Sequence, residues 1–206
     1  MIVMQYADNG NLLSYLDQNI NKLAWKDKLE HLQTIAMHLC DIHIKGLVHC
    51  NLHGGNIVLH NDTPFICDLG LSQLQSANSY EQSSNIRSVL TFVAPEVFYT
   101  RKFTQKSDVY SFGIIMYLIA TGEPPFRDRQ FDESLICDIM GGLRPSMPDS
   151  VPEEYKKLAE RCCDADPDKR PADGRELYRC IESLDKEVDK WNAVYHDVKS
   201  RRRVIF

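Results

Sequence analysis

The sequence is short of most devices that would mark it as metal-built, secreted or membrane-spanning. Its seven cysteines, at positions 40, 50, 67, 137, 162, 163 and 180, form no C-x-x-C pair. A tetrahedral zinc site therefore has no support. Their odd number fits the reduced thiols of the cytosol or nucleus better than a disulfide framework. The longest apolar stretch, Gly113 to Ala120, is far too short for a bilayer, which needs about 20 such residues. The apolar start, Met1 to Tyr6, gives way at once to Asp8, Asn9 and Gly10, so the basic start, longer apolar run and small-residue cleavage site of a secretory signal are missing. Basic excess is missing too. Net charge is -5 and the isoelectric point is near 5.8, so no global field draws the molecule to nucleic acid or to an anionic membrane. What is present is ordinary for a globular domain, with 43% hydrophobic and 26% charged residues in 206. A chain of that length buries roughly 70% of the surface its unfolded form exposes.

Periodicity gives a mostly helical layout. Ile2, Val3 and Met4 read as the end of a buried strand, with Asp8-Asn9-Gly10 as the turn after it. Asn11 is placed to cap a short helix carrying Leu12, Leu13 and Leu16. From Trp25 to Ile44 apolar residues recur in steps of three and four, at Leu29, Leu32, Ile35, Ala36, Leu39 and Ile42, which predicts an amphipathic helix stopped by Gly46. Ile57-Val58-Leu59 and Phe65-Ile66-Cys67, joined by the five residues 60 to 64, predict a hairpin. Residues 71 to 90 read as a long mobile loop. Ser107 to Thr121 is apolar on every side from Phe112 to Ala120, which predicts a buried helix. Weaker helical patterns cover roughly 132–140, 152–163 and 174–190. The tail keeps Val188, Trp191, Tyr195 and Val198 and closes on Arg201-Arg202-Arg203, a run short enough to be a solvated end.

Five short strings in a fixed order carry a resemblance. His49-Cys50-Asn51-Leu52-His53-Gly54-Gly55-Asn56 resembles the H-R-D-L-x-x-x-N catalytic loop of eukaryotic protein kinases. Asp68-Leu69-Gly70 resembles the metal-binding D-F-G, and Ala94-Pro95-Glu96 the A-P-E that closes the activation segment. Ser107 to Gly113 resembles the start of the central helix, and Pro167 to Pro171 the segment before the last one. The chain thus resembles the large, C-terminal lobe of a protein kinase, and within that family the tyrosine-kinase-like group, which mostly phosphorylates Ser and Thr. The fold implied is α+β, mostly α-helical: a hinge strand, one short β-hairpin and a buried central helix, with the small lobe absent from this sequence. Residues 1–185 would form the kinase-like domain and 186–206 a helical, basic tail.

The resemblance implies Mg²⁺ and ATP. Asp68 would supply a carboxylate and Asn56 a carbonyl oxygen to the metal, both hard ligands suited to it; the plainer reading is that both cap turns. Met4, Gln5, Tyr6 and Ala7 would line the hinge, with Ala7 offering backbone groups to adenine, and Val58 would form an apolar floor. Asn51 stands where the family has its catalytic Asp. An amide accepts a hydrogen bond but not a proton, and a general base contributes about 10²–10⁴-fold. Cys50 replaces the Arg that would hold a phosphorylated loop, so phosphorylation at Ser83, Ser84 or Ser88 has no evident local receptor; an inert thiol is expected. His53 reads as a plain loop residue against the alternative of a stand-in for a phosphate-contacting lysine. His49 (packed under Leu69), Asp108, Glu96 and Arg170 would hold the fold. No G-x-G-x-x-G loop, V-A-I-K lysine or partner glutamate occurs in the sequence, so tight nucleotide binding by this chain alone is not expected. Three functions remain open: a catalytically impaired kinase-like binding scaffold, an active Ser/Thr kinase when joined to a small lobe, or a degenerate fragment. Protein partners or self-association are expected, through an exposed cleft floor of Val3, Val58, Leu59 and Ile66 and a strand edge at residues 2 to 5. Nucleic acid and membrane are not expected, and the location implied is cytoplasmic or nuclear.

Overall fold

The computed structural model describes residues 6–74, 90–188 and 191. The expected strand at Ile2 to Met4, with Gln5, lies outside the described residues, as do Ser83, Ser84, Ser88 and the tail from Tyr195 to Arg203.

Helix α1 (Leu12–Asn19) begins where the Asn11 side chain accepts the Ser14 N–H at 3.0 Å, satisfying a donor the first turn leaves without a helical partner. Helix α2 (Trp25–Ile44) buries Leu29, Leu32, Ile35, Ala36 and Leu39 on one face. It stops at Gly46, whose φ of 71° suits a residue without a Cβ. Strand β1 (Leu47–Val48) follows and pairs antiparallel with β4 (Gln73–Leu74). Between them lies the predicted hairpin, β2 (Ile57–His60) on β3 (Thr63–Ile66). Its connection is shorter than the sequence suggested: His60, Thr63 and Pro64 are in the strands, and only Asn61 and Asp62 turn. Both adopt positive φ, 48° and 60°, the geometry that matches a two-residue turn to the twist of its strands. Alternation along β2 sends Ile57 and Leu59 inward and leaves Val58 and His60 half-buried. Leu59 is therefore core, not the exposed cleft floor expected of it; Ile66 is half-buried.

The short helix α3 (Pro95–Thr100) follows, with proline at its first position. Helix α4 (Gln105–Thr121) starts on a reciprocal cap, Thr104 Oγ1 accepting the Ser107 N–H and Ser107 Oγ the Thr104 N–H. Its stretch from Phe112 to Ala120 is apolar throughout and buried except at half-buried Tyr117, and Val109, Phe112, Ile114, Ile115, Met116 and Ile119 belong to the core. Each such side chain contributes about 1.5–3 kcal/mol relative to exposure. Helices α5 (Glu133–Met140), α6 (Glu153–Cys162) and α7 (Gly174–Asp185) complete the order. Two glycines let backbones close up. A Cβ on Gly113 would lie 2.5 Å from Cys163 Sγ, so α4 meets α6 there, and one on Gly174 would lie 2.5 Å from the Cys40 amide nitrogen, so α7 meets α2. Val188 and Trp191 belong to the same core, Trp191 standing edge-on to Trp25 with ring centroids 6.0 Å apart. Among the described residues no helix is long and apolar enough to cross a membrane.

Candidate functional site at the catalytic loop

The loop from His49 to Asn56 is shaped by one buried carboxylate. Asp108, in the first turn of α4 and 1% exposed, accepts the His49 N–H at 2.7 Å and the Cys50 N–H at 3.1 Å. A third partner, His43 Nε2, lies 3.1 Å from the same carboxylate. His43 Nδ1 accepts the Gly174 N–H at 2.9 Å, so the network puts the imidazole proton on Nε2, facing Asp108. With both oxygens held, the loop can keep Cys50 at φ 68°, a left-handed conformation that costs a non-glycine residue about 1–3 kcal/mol.

His49 is fully buried. Its Nδ1 accepts the Asn51 N–H at 3.2 Å, so Nε2 carries the proton given to the Cys67 carbonyl at 3.1 Å. Leu69, expected to roof it, is 52% exposed; one of His49's two ring hydrogen bonds stays within the loop and the other ties it to Cys67, just past the end of β3.

Asn51, Asn56 and Asp68 meet at the mouth of this loop. Asn56 Nδ2 donates to the Asn51 carbonyl at 2.9 Å and to Asp68 Oδ2 at 3.3 Å. Asn51 Nδ2 donates to that same Oδ2 at 3.2 Å. Asp68 itself sits at φ 61°, ahead of a single 3-10 turn that its side chain does not cap. The turn-cap reading thus fails for Asp68, whose carboxylate is turned toward two amides instead. Asn51 and Asn56 spend their donor ends on this cluster. Cys50 is the inert thiol expected: burial first, then the Asp108 charge, pushes it up to about 12. Burial also pushes the His53 imidazole down to about 4, with His49 a smaller cause, and His53 Nδ1 accepts the Gly55 N–H at 3.1 Å. A neutral ring with an occupied nitrogen does not imitate a lysine.

The remaining predicted positions are reported as found. Glu96 and Arg170 form a buried two-pronged pair at 2.7 and 2.8 Å. Tyr6 is exposed, Ala7 is half-buried with its carbonyl taking the Gly10 N–H at 3.3 Å, and Val58 is half-buried; Met4 and Gln5 lie outside the described residues. His43 and Gly174 were not singled out by sequence reasoning. They stand 131 residues apart, and the only hint was a histidine on the buried, mostly apolar face of α2. Two cavities, of about 450 and 410 Å³, are lined by none of the loop's residues.

A helical lobe with a small hairpin, a buried central helix and this loop geometry is that of a protein kinase, and the comparisons agree. Residues 1–179 match the family described as protein tyrosine and serine/threonine kinase; this chain belongs to that family. It is 34% identical over 208 residues to a probable serine/threonine-protein kinase of Dictyostelium discoideum, covering 93% of this chain and 20% of that protein. It is 31% identical to the human receptor-interacting serine/threonine-protein kinase 1, over 97% of this chain and 34% of that one. A Dictyostelium dual specificity protein kinase, shkA, is 32% identical over 79% of this chain and 32% of its own length. The chain thus spans about a fifth to a third of these relatives. The family as a whole works with ATP and Mg²⁺.

Proposed function

We propose that this protein is a kinase-fold scaffold in which phosphoryl transfer is impaired at Asn51 and which acts through protein partners. The observation that carries the reading is the Asn51 amide, turned onto Asp68 Oδ2 at 3.2 Å. In the family's catalytic loop the group at this position accepts the proton of the attacking hydroxyl. An amide has no basic site for it, which removes about 10²–10⁴-fold of rate. It also donates to the one carboxylate of the metal pair, where a second carboxylate would add charge.

The metal half of the chemistry fits better. Asp68 and Asn56 offer one carboxylate and one amide oxygen, and Mg²⁺ is held elsewhere by one or two carboxylates together with substrate phosphates. Among the described residues no three His, Cys, Asp or Glu side chains converge on a possible ion, so these two residues would hold Mg²⁺ only jointly with a nucleotide. When bound, that ion supplies charge neutralisation at the phosphates. The surface for partners would include Leu69, Leu71 and Leu74, all exposed beside the loop. Seven free cysteines are consistent with a reducing location, the cytosol or nucleus.

The test is phosphoryl transfer from ATP to a generic basic acceptor protein, comparing the natural full-length protein with Asn51→Asp. The expected result is a barely measurable natural rate that rises by about 10²–10⁴-fold in the variant. A natural rate equal to that of the variant overturns the reading and returns the protein to the active Ser/Thr kinases.

A further inference from the structure

We infer that the cavity between α4, α6 and residues 142–147 is a site for a small molecule with an apolar body and one carboxylate. The cavity, of about 450 Å³, falls within the range of about 300–1,000 Å³ usual for such ligands. Tyr117, Pro145, Met147 and Ala159 give its walls an apolar part, and Arg144 and Lys156 a cationic one.

Arg144 carries the inference. It is half-buried, and its guanidinium is held from several directions. Nε donates to the Cys163 carbonyl at 2.7 Å, and Nη1 to the carbonyls of Ile139 and Leu143 at 2.9 and 2.7 Å. The Tyr110 ring centroid lies 5.2 Å from Cζ, a cation on a ring. The remaining amino group, Nη2, has no hydrogen-bond partner among the described residues, yet is not shut away from solvent. A charged donor held rigidly, with its protons unclaimed, is prepared for an anion, because binding there orders no further side chain. Lys156 adds a second cation. Its side chain is 17% exposed, and Asp149, the carboxylate paired with it, stands 3.9 Å away and fully in water, a pairing too weak to keep it from another anion. The other charged residues limit the ligand. Glu160 and Asp164 also line the cavity, and Asp164 accepts the Asp166 N–H at 2.9 Å. Two carboxylates sharing the walls with two cations suit a ligand of single negative charge and repel the greater charge of a phosphate monoester. The Cys163 thiol, pushed up to about 12 by burial, adds no charge of its own.

The cavity lies apart from the catalytic loop and does not depend on the reading of Asn51, so either can fail alone. The test is calorimetric titration of the full-length protein with octanoate and with 3-phenylpropionate, against octanamide, octylamine and octyl phosphate. Nuclear magnetic resonance follows the Met147 methyl and Arg144 Nε–H signals in parallel. Arg144→Met would strip three carbonyls of their donor, so two milder variants are used. Lys156→Met keeps the stem and removes the charge. Ser146→Trp sets a bulky ring at an exposed lining position, where it obstructs the cavity without entering the core. The expected result is at least about tenfold tighter binding of one acid than of the amide, the amine and the phosphate. Both signals move on titration, and binding weakens in Lys156→Met and is lost in Ser146→Trp. Preference for octanoate assigns an alkyl acid, and preference for phenylpropionate an aryl acid. Equal binding of acid and amide, tighter binding of the amine or the phosphate, signals that stay still, unchanged affinity in either variant, or no binding by either acid overturns the inference.

Discussion

Lys28 sets the terms at the scale of single residues. It is 8% exposed on α2, its Nζ donating to the Ala120 carbonyl at 2.9 Å, with the Trp25 ring centroid 5.0 Å away. A carbonyl and a ring only partly replace the water such an ammonium gives up, and burial lowers it from 10.5 to about 8. Between those two values the unfolded chain holds a proton that the folded chain has shed. Stability therefore gains with rising pH through that window, and the penalty is constant below it. Lys28→Met removes the effect while keeping the apolar stem. Thermal melts from pH 7.5 to 10.5 should show the natural protein gaining on the variant as pH rises; a gap that stays flat would mean Lys28 is not desolvated. At the same scale Asn51 was legible as an amide at the family's base position because a motif fixed its place. The unclaimed amino group of Arg144 was not, since only packing decides which of its donors find a partner.

Among the elements, legibility followed the strength of the period. Helix α2 was read with its observed ends, because twenty residues of regular spacing and a glycine stop all agree. The hairpin was read with a connection three residues too long, because Asn61 and Asp62 turn at φ values that composition alone does not single out. Helix α3, six residues long, was missed, having too few turns to show a period. The seam between α4 and α6 was equally hidden. Gly113 looked like one more small residue in an apolar run, whereas a Cβ there would meet Cys163 Sγ at 2.5 Å, Cys162 Cβ at 2.8 Å and the Ala159 carbonyl at 3.2 Å. Gly113→Ala gains about 1 kcal/mol of helix propensity but must push the helices apart, at a typical cost of about 1–3 kcal/mol. Urea denaturation should show a net loss of stability, and a gain would mean that α6 yields freely.

Taken whole, the molecule is tied by contacts between segments distant in sequence. Arg170, 1% exposed, reaches Glu96 across 74 residues, and also donates to the carbonyls of Asp164 and Lys106 at 2.8 and 3.0 Å. Its guanidinium and that of Arg144 both lie 5.2 Å from the Tyr110 ring centroid. Arg170→Met strands Glu96 as an uncompensated buried charge, a loss of about 3–5 kcal/mol, or roughly 10 °C in Tm for a chain of this size. The double variant Glu96→Leu, Arg170→Met should recover much of that loss, because replacing both partners leaves no unpaired charge. Scanning calorimetry decides, and equal melting of single and double variants would mean the pair is solvated.

The bridge from Gly174 through His43 to Asp108 also sets an order in time. The catalytic loop is complete as sequence by Asn56, yet the carboxylate that shapes it lies on α4, and the histidine beside that carboxylate is met by the amide of a residue 131 positions further on. At roughly 5–20 residues per second of synthesis, a nascent chain spends on the order of ten seconds with that loop translated but not locked. A chain cut short before α7 would carry the family motifs of this sequence without the contact that closes the network around them.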